Sequence, residues 1–385
     1  MRTRLITMVS VAALLAAGCG EDKEATTTTA PSAAETTTAE TTPAETTTPE
    51  TTPETTEGGH DMEHGTDDAT EYPLTITNCG REVTFEQAPE RVLILNGSSV
   101  AEVETMIALG LEGSILANSQ SYGATDVDGM LEKIAAIPTG GLTLNENYEV
   151  PKEQVLALEP DLVISTWAGG FTEAMGAATR DDLEAAGINS YVTPVNCALG
   201  DPDASPEDVA KNEEQTYEAS FELIEELGVI FDVQHDAMHL IEHAREDIEA
   251  IVPPTTDETV HVLLAFPGMS MMRETGVPGV FAGPFFDSII EAAGGENSFP
   301  DFASFNDSSS ISAEAVAAAD VDVLVIGLFM DGEDAAAYAA EIFAMYPQWD
   351  AAKTNTYTTV SDSTYLGPYN AIAIQKIADA IATLA

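Results

Sequence analysis

Hydrophobic and polar positions change character near residue 72. Residues 20–70 are Thr, Glu, Ala and Pro with no apolar periodicity and with near-repeats such as "AETTT" and "PETT". Such a segment buries too little apolar surface to fold and reads as a tether. Beyond it, short continuous apolar runs alternate with stretches of helical period: "RVLIL" (91–95), "SILA" (114–117), "DLVIS" (161–165), "VHVLLAF" (260–266) and "DVLVIG" (322–327). Strands apolar on both faces and separated by helices predict mainly parallel sheets covered on each side, an α/β fold. More than 310 residues lie in this region, beyond what one core ordinarily supports, so two lobes are expected.

An internal echo supports two related halves. "PKEQVLALEPDLVIS" (151–165) recurs as "AEAVAAADVDVLVIG" (313–327), with Glu153, Val155, Ala157 and Asp161 matching Glu314, Val316, Ala318 and Asp322 at one offset. Each copy predicts a helix, a turn and a strand. Between the halves, residues 213–254 read as mainly helical up to Pro253-Pro254. A helix of twenty-five residues would span about 38 Å, a stiff connector. His235, His239 and His243 fall four residues apart there, on the side opposite the apolar Val233, Leu240, Ala244, Ile248 and Ile251. The spacing suits zinc, yet a face pointing away from the core reads first as solvated. The expected divisions are a leader over 1–18, a tether over 19–71, lobes over 72–210 and 255–385, and a connecting helix over 211–254.

The leader changes the picture of where the chain works. Arg2 and Arg4 precede an apolar stretch, residues 6–17, too short to span a bilayer, and small residues lead to Cys19. "LAAGC" resembles the bacterial lipobox, which implies cleavage before Cys19 and lipidation of its thiol, an extracytoplasmic surface anchor. Two histidines in "HDMEHG", His60 and His64, are weak evidence for a metal on the tether.

Net charge is −53, with 66 Asp and Glu against 13 Lys and Arg, and the acids are dispersed. That balance excludes nucleic acid and anionic lipid as partners and reads as a solvated acidic shell suited to high salt, with a cation-binding surface as the rival. With Cys19 lipidated, Cys79 and Cys197 remain in an oxidising compartment, either as a disulfide or as two buried thiols. A bridge would close a loop worth about 4–5 kcal/mol in the chain-entropy model.

In open parallel α/β sheets ligands sit beyond the carboxyl ends of the strands. The segments there are "NGSS" (96–99), "NSQSY" (118–122) and "TWAGGF" (166–171) in the first half, and "PGMSMMR" (267–273), "FMDG" (329–332) and "SDSTY" (361–365) in the second. They nominate Asn96, Ser98, Gln120, Tyr122, Trp167, Phe171, Met269, Arg273, Phe329 and Tyr365, with Tyr148 and Arg180 nearby. Aromatics, methionines and neutral polar groups suit a bulky ligand with apolar faces. No phosphate-binding glycine loop or nucleophile elbow follows a strand, and these segments hold no histidine to act as a base, so an enzyme is not expected. No cofactor or resident metal is implied. A receptor for free zinc or manganese would want His and carboxylates converging in the cleft, and the histidines lie elsewhere.

"GREVTFEQAPERVLIL", "VETMIALGL", "VLALEPDLVIST" and "IIEAAGGENSF" followed by "ISAEAVAAADVDVLVIG" together resemble the solute receptors of bacterial ABC importers for ferric siderophores, haem and cobalamin. The resemblance covers residue 72 to the end of the chain. It implies two α/β lobes joined by one long helix, the class III binding-protein architecture, that close little on a metal chelate. It also implies a permease dimer with its ATPase as partner, docked through one glutamate on each lobe, Glu104 and Glu291 by motif. "WAGGF" falls where that family places ligand-facing residues. The scarcity of arginine argues against a heavily carboxylated siderophore and for a hydroxamate complex, cobalamin or haem. A surface lipoprotein that senses a ligand without transport, and less favourably a surface hydrolase, are the alternatives.

Overall fold

The computed structural model describes residues 69–97, 99–120, 123–256, 258–269, 278–302, 308 and 310–385. The expectations for the leader, Cys19, His60 and His64 fall outside them. The first elements are an antiparallel hairpin, β1 (Leu74–Asn78) and β2 (Arg81–Phe85). Cys79 and Gly80 turn it with φ of 51° and 70°, the paired positive angles of a turn whose twist matches the strands.

The first lobe then alternates β3 (Val92–Ile94), α1 (Ala101–Ala108), β4 (Ile115–Asn118), α2 (Met130–Ala136), α3 (Lys152–Leu158), β5 (Leu162–Ser165), α4 (Arg180–Ala185) and β6 (Asn189–Val192). Its four strands run parallel in the order β4-β3-β5-β6. Every residue of β3 and β5 is buried, which is why those runs read as unbroken apolar sequence. The hairpin is clipped to this sheet beside β6. Asn78 Nδ2 donates to the Val192 carbonyl at 2.7 Å and its Oδ1 accepts from Val192 N at 2.9 Å. The disulfide Cys79–Cys197 closes the same junction, with Cα atoms 5.2 Å apart. An edge strand is thereby covered.

After α5 (Pro206–Glu214) come α6 (Ala219–Ile230) and α7 (Gln234–Ala250). The expected single long helix is therefore divided: the chain leaves α6 at Phe231, Asp232 takes φ 58°, and α7 folds back on α6. Gly228 permits the close approach, since an added Cβ there would stand 2.5 Å from Ala237 Cβ. The break also receives the start of the folded chain. Thr70 N donates to Asp232 Oδ1 at 2.6 Å, Thr70 Oγ1 to the Val229 carbonyl at 2.7 Å, and Tyr72 Oη to the Ile230 carbonyl at 2.7 Å.

The second lobe holds β7 (His261–Phe266), β8 (Gly279–Phe281), α8 (Pro284–Ala292), β9 (Glu296–Asn297), α9 (Ala313–Ala318), β10 (Val323–Gly327), α10 (Ala335–Met345), α11 (Asp350–Thr354), β11 (Tyr357–Val360) and α12 (Asn370–Ala382). Its sheet runs β11-β10-β7-β8, with β9 beside the start of β7 and β8 alone antiparallel. The echoed sequences form α3 with β5 and α9 with β10.

What joins the lobes is α6. Tyr191 Oη, at the end of a fully buried side chain on β6, donates to Glu226 Oε2 at 2.5 Å, and Ser220 Oγ donates to Asn370 Oδ1 of α12 at 2.7 Å. One apolar cluster runs continuously from Val92 and Ile94 through Ile224 and Leu227 to Val262, Val325 and Ile377. Such a seam resists wide hinge motion, because opening it would expose packed apolar surface.

Candidate ligand-binding site

The carboxyl ends of the parallel strands build one wall around Trp167. It follows β5, half-buried, with its ring lying over Gly169 and Gly200; an added Cβ would meet ring carbons at 2.2 Å and 2.5 Å. Only glycine leaves room for the indole there. Ser165 Oγ donates to the Trp167 carbonyl at 2.8 Å and Asn196 Nδ2 to the Thr166 carbonyl at 2.9 Å, so the base of the aromatic is fixed. Gly97 passes against the same point: an added Cβ would lie 2.5 Å from Thr166 Oγ1.

Asn96, after β3, donates from Nδ2 to the Tyr148 carbonyl at 2.7 Å. That bond holds a loop already tightened by Asn145, whose Oδ1 accepts from Asn147 N at 2.8 Å and Glu149 N at 3.0 Å. Tyr148 sits there at φ 62° with 60% of its surface exposed. Beneath it, the buried Glu149 is pushed by desolvation up to about 7. Asn96 Oδ1 and Glu149 Oε2 are both buried without a hydrogen-bond partner. Glu149 escaped the sequence reading because a single acid in an acid-rich chain carries no signal.

On the other wall Phe329 follows β10 and Tyr365 lies past β11, both half-buried. Tyr365 packs edge-on to Phe266 at 5.7 Å and to Phe281 at 6.2 Å between ring centroids. The walls meet where Ala124 N donates to the Phe329 carbonyl at 3.2 Å, alongside a bridge between Gly123 and Met330, and Met330 is exposed.

Several nominated residues are placed otherwise. Phe171 is a core residue packed with Leu93, Leu95 and Val163. Met269 likewise fills the main apolar cluster. Gln120 is wholly buried, donating from Nε2 to Glu102 Oε2 at 2.9 Å. Ser99 Oγ accepts from Ala101 N at 3.1 Å in a local turn, and Glu102 beyond it is this buried partner of Gln120. Arg180 is a structural clamp: Nε donates to Ser190 Oγ at 2.9 Å and Nη1 to the Asn78 carbonyl at 2.9 Å, holding hairpin to β6. Burial, with Arg81 nearby, lowers its pKa to about 10. Ser98, Tyr122 and Arg273 lie outside the described residues.

Glu104 is the largest departure. Its side chain is 1% exposed, with neither carboxylate oxygen hydrogen-bonded, so it is out of reach of a docking partner's arginine. Burial, then the neighbouring Asp362 carboxyl, raises its pKa to about 11. Burial raises Asp362 as well. The group belongs to a seam between lobes in which Asp126 accepts from Ser361 N at 2.6 Å, from Ser363 Oγ and from Lys376 Nζ, while Asp126 N donates to Asp362 Oδ1 at 2.6 Å. Glu291, by contrast, is exposed on α8.

A family model described as periplasmic binding protein matches residues 98–357. Among solved structures, an ABC-type Fe3+-hydroxamate transport protein of Saccharomonospora viridis is similar at 26% identity, over 81% of this chain and 99% of that one, with a TM-score of 0.60. A periplasmic binding protein of Veillonella parvula shares the fold at 17% identity, over 80% of this chain and 97% of that one, TM-score 0.61. The siderophore-binding protein BauB, bound to two acinetobactin molecules and ferric iron, does so at 17% identity over 80% and 98%, TM-score 0.53. A search of curated protein sequences finds no match.

Proposed function

The chain belongs to the periplasmic binding protein family, and from that premise we propose that it is an extracytoplasmic receptor that captures a ferric siderophore, of hydroxamate type, between its lobes and hands it to an ABC importer. The observation that carries the reading is Trp167 on its glycine platform at the carboxyl end of β5. A flat aromatic face suits the hydrocarbon of a wrapped chelate. The hydroxamate transport protein at 26% identity supports the same ligand class.

In this reading Cys19 carries the lipid anchor and the tether, up to the Thr70 held at the α6–α7 turn, gives the receptor reach, about 40 Å for a flexible coil. Capture involves binding and presentation, with no bond made or broken in the ligand. Glu291 is the docking glutamate that the reading keeps; Glu104 is not one. Replacing Glu291 with Ala then lowers uptake and leaves ligand affinity unchanged.

Tryptophan fluorescence tests the capture step. Trp349 is buried and stacked on Tyr346 at 4.4 Å, so quenching reports Trp167. Saturable quenching by ferric hydroxamates, absent from a Trp167→Phe variant, is expected. Quenching by haem, cobalamin or ferric catecholates alone would overturn the ligand class, and no response from any would overturn the receptor.

A further inference from the structure

The structure assigns a two-histidine transition-metal site, separate from the ligand cleft, to the exposed face of α7. His235 and His239 lie one turn apart with Nε2 atoms 3.3 Å from one another and ring centroids 4.5 Å apart. Two nitrogens bound to one tetrahedral ion at about 2.0–2.1 Å stand roughly 3.3 Å apart, so the pair is spaced as a chelate before any metal arrives. The other ring nitrogens face carboxylates: His235 Nδ1 is 3.7 Å from Asp236 Oδ1, and His239 Nδ1 is 3.4 Å from Glu242 Oε2. A carboxylate near Nδ1 favours a proton on that nitrogen and leaves the Nε2 lone pair for a metal, the outer arrangement that orients metal-binding imidazoles.

Without metal, the two Nε2 atoms lie within hydrogen-bond distance across the 3.3 Å gap when one neutral ring carries its proton there. An entering divalent cation takes the Nε2 lone pair of both neutral rings, that proton moving to the ring's own Nδ1 beside its carboxylate. Among the described residues no set of three or more His, Cys, Asp or Glu gathers around one point, so the protein supplies two ligands and water completes the shell. The side chains are 61% and 50% exposed, which admits that water and makes the site one of moderate affinity. Imidazole ligands select Cu(II), Ni(II) and Zn(II) over the oxygen-seeking Mg(II) and Ca(II). That preference separates the site from diffuse attraction of cations to the acidic surface.

Calorimetric titration of the full chain with ZnCl2, NiCl2 and CuCl2 in a large excess of MgCl2 tests this, with Cu(II) expected tightest. Wild type and a His60→Ala/His64→Ala variant should each bind at micromolar concentration. A His235→Gln/His239→Gln variant should lose at least about tenfold in affinity while its circular dichroism and melting are unchanged, because both side chains are exposed. One equivalent of Cu(II) should show imidazole nitrogen couplings in its electron paramagnetic resonance spectrum that the α7 variant lacks. No binding above the Mg(II) background by wild type, undiminished binding by the α7 variant, or binding lost with His60 and His64 alone would each overturn the assignment.

Discussion

Trp167 and Glu104 stand close to the same kind of place, a strand-to-helix connection in a parallel sheet, and have opposite environments. Trp167 is half-buried, its ring lying over Gly169 and Gly200, which have no side chains. Glu104, on the helix after β3, is sealed by the loop of the other lobe that carries Asp362. The ends of parallel strands thus serve two purposes in a two-lobed protein, the wall proposed for the ligand and the lobe seam. Position after a strand does not tell them apart; the partner across the gap does. Where that partner is a buried carboxylate cluster with Lys376, the connection is structural.

The sharpest way to break the contrast is to cut the seam. Asp126→Ala removes the Lys376 ion pair and the acceptors for Ser361 N and Ser363 Oγ. It should cost about 1–3 kcal/mol of unfolding free energy, the usual penalty for leaving buried donors without their acceptor, read from urea denaturation. A loss under about 0.5 kcal/mol would mean that the seam does not hold the lobes.

The seam should also show in pH dependence. With its pKa raised from 4.5 to about 11, Glu104 holds in the folded state a proton that the unfolded chain releases. Its contribution is therefore complete at low pH and is lost as pH rises towards 11. Stability should fall between about pH 5 and about pH 9, and Glu104→Gln should flatten that fall, since the amide is neutral throughout. An equal slope in the variant would place the titration elsewhere.

Perturbing the ligand wall should give the reverse signature. Trp167→Ala should reduce ligand affinity more than about tenfold, at least 1.4 kcal/mol, while circular dichroism shows the fold retained. The smallest effect is expected from Gly169→Ala. Its Cβ would stand 2.2 Å from the indole, so the ring must swing aside. Affinity should fall severalfold, accompanied by a shift of the Trp167 emission, and an unchanged spectrum would remove the platform from the account.

The strands were legible where both faces are buried. "DLVIS" and "DVLVIG" give continuous apolar runs, and the structure places β5 and β10 there. β11, "YTTV", is half polar because only Val360 in it is fully buried, and no unbroken run marks it. The division of the connecting helix was hidden because "EELGVIFDVQHD" keeps helical composition through the break. Only the close contact of Gly228 with Ala237 and the capture of Thr70 by Asp232 reveal it. "WAGG" predicts a connection after a strand, and Trp167 follows β5 there. The identities of Phe171 as core and Arg180 as clamp depend on partners far away in sequence, Leu93 and Asn78, that local pattern cannot supply.

The capture of Thr70 at the α6–α7 turn also decides how the molecule carries load. A pull arriving from upstream does not begin by unzipping β1 from β2 one bond at a time. It meets first the cluster of bonds from Thr70 and Tyr72 to Val229, Ile230 and Asp232, which must break together. Those acceptors end the helix that is bonded to both lobes, so tension enters the body near its middle and is shared between the two halves.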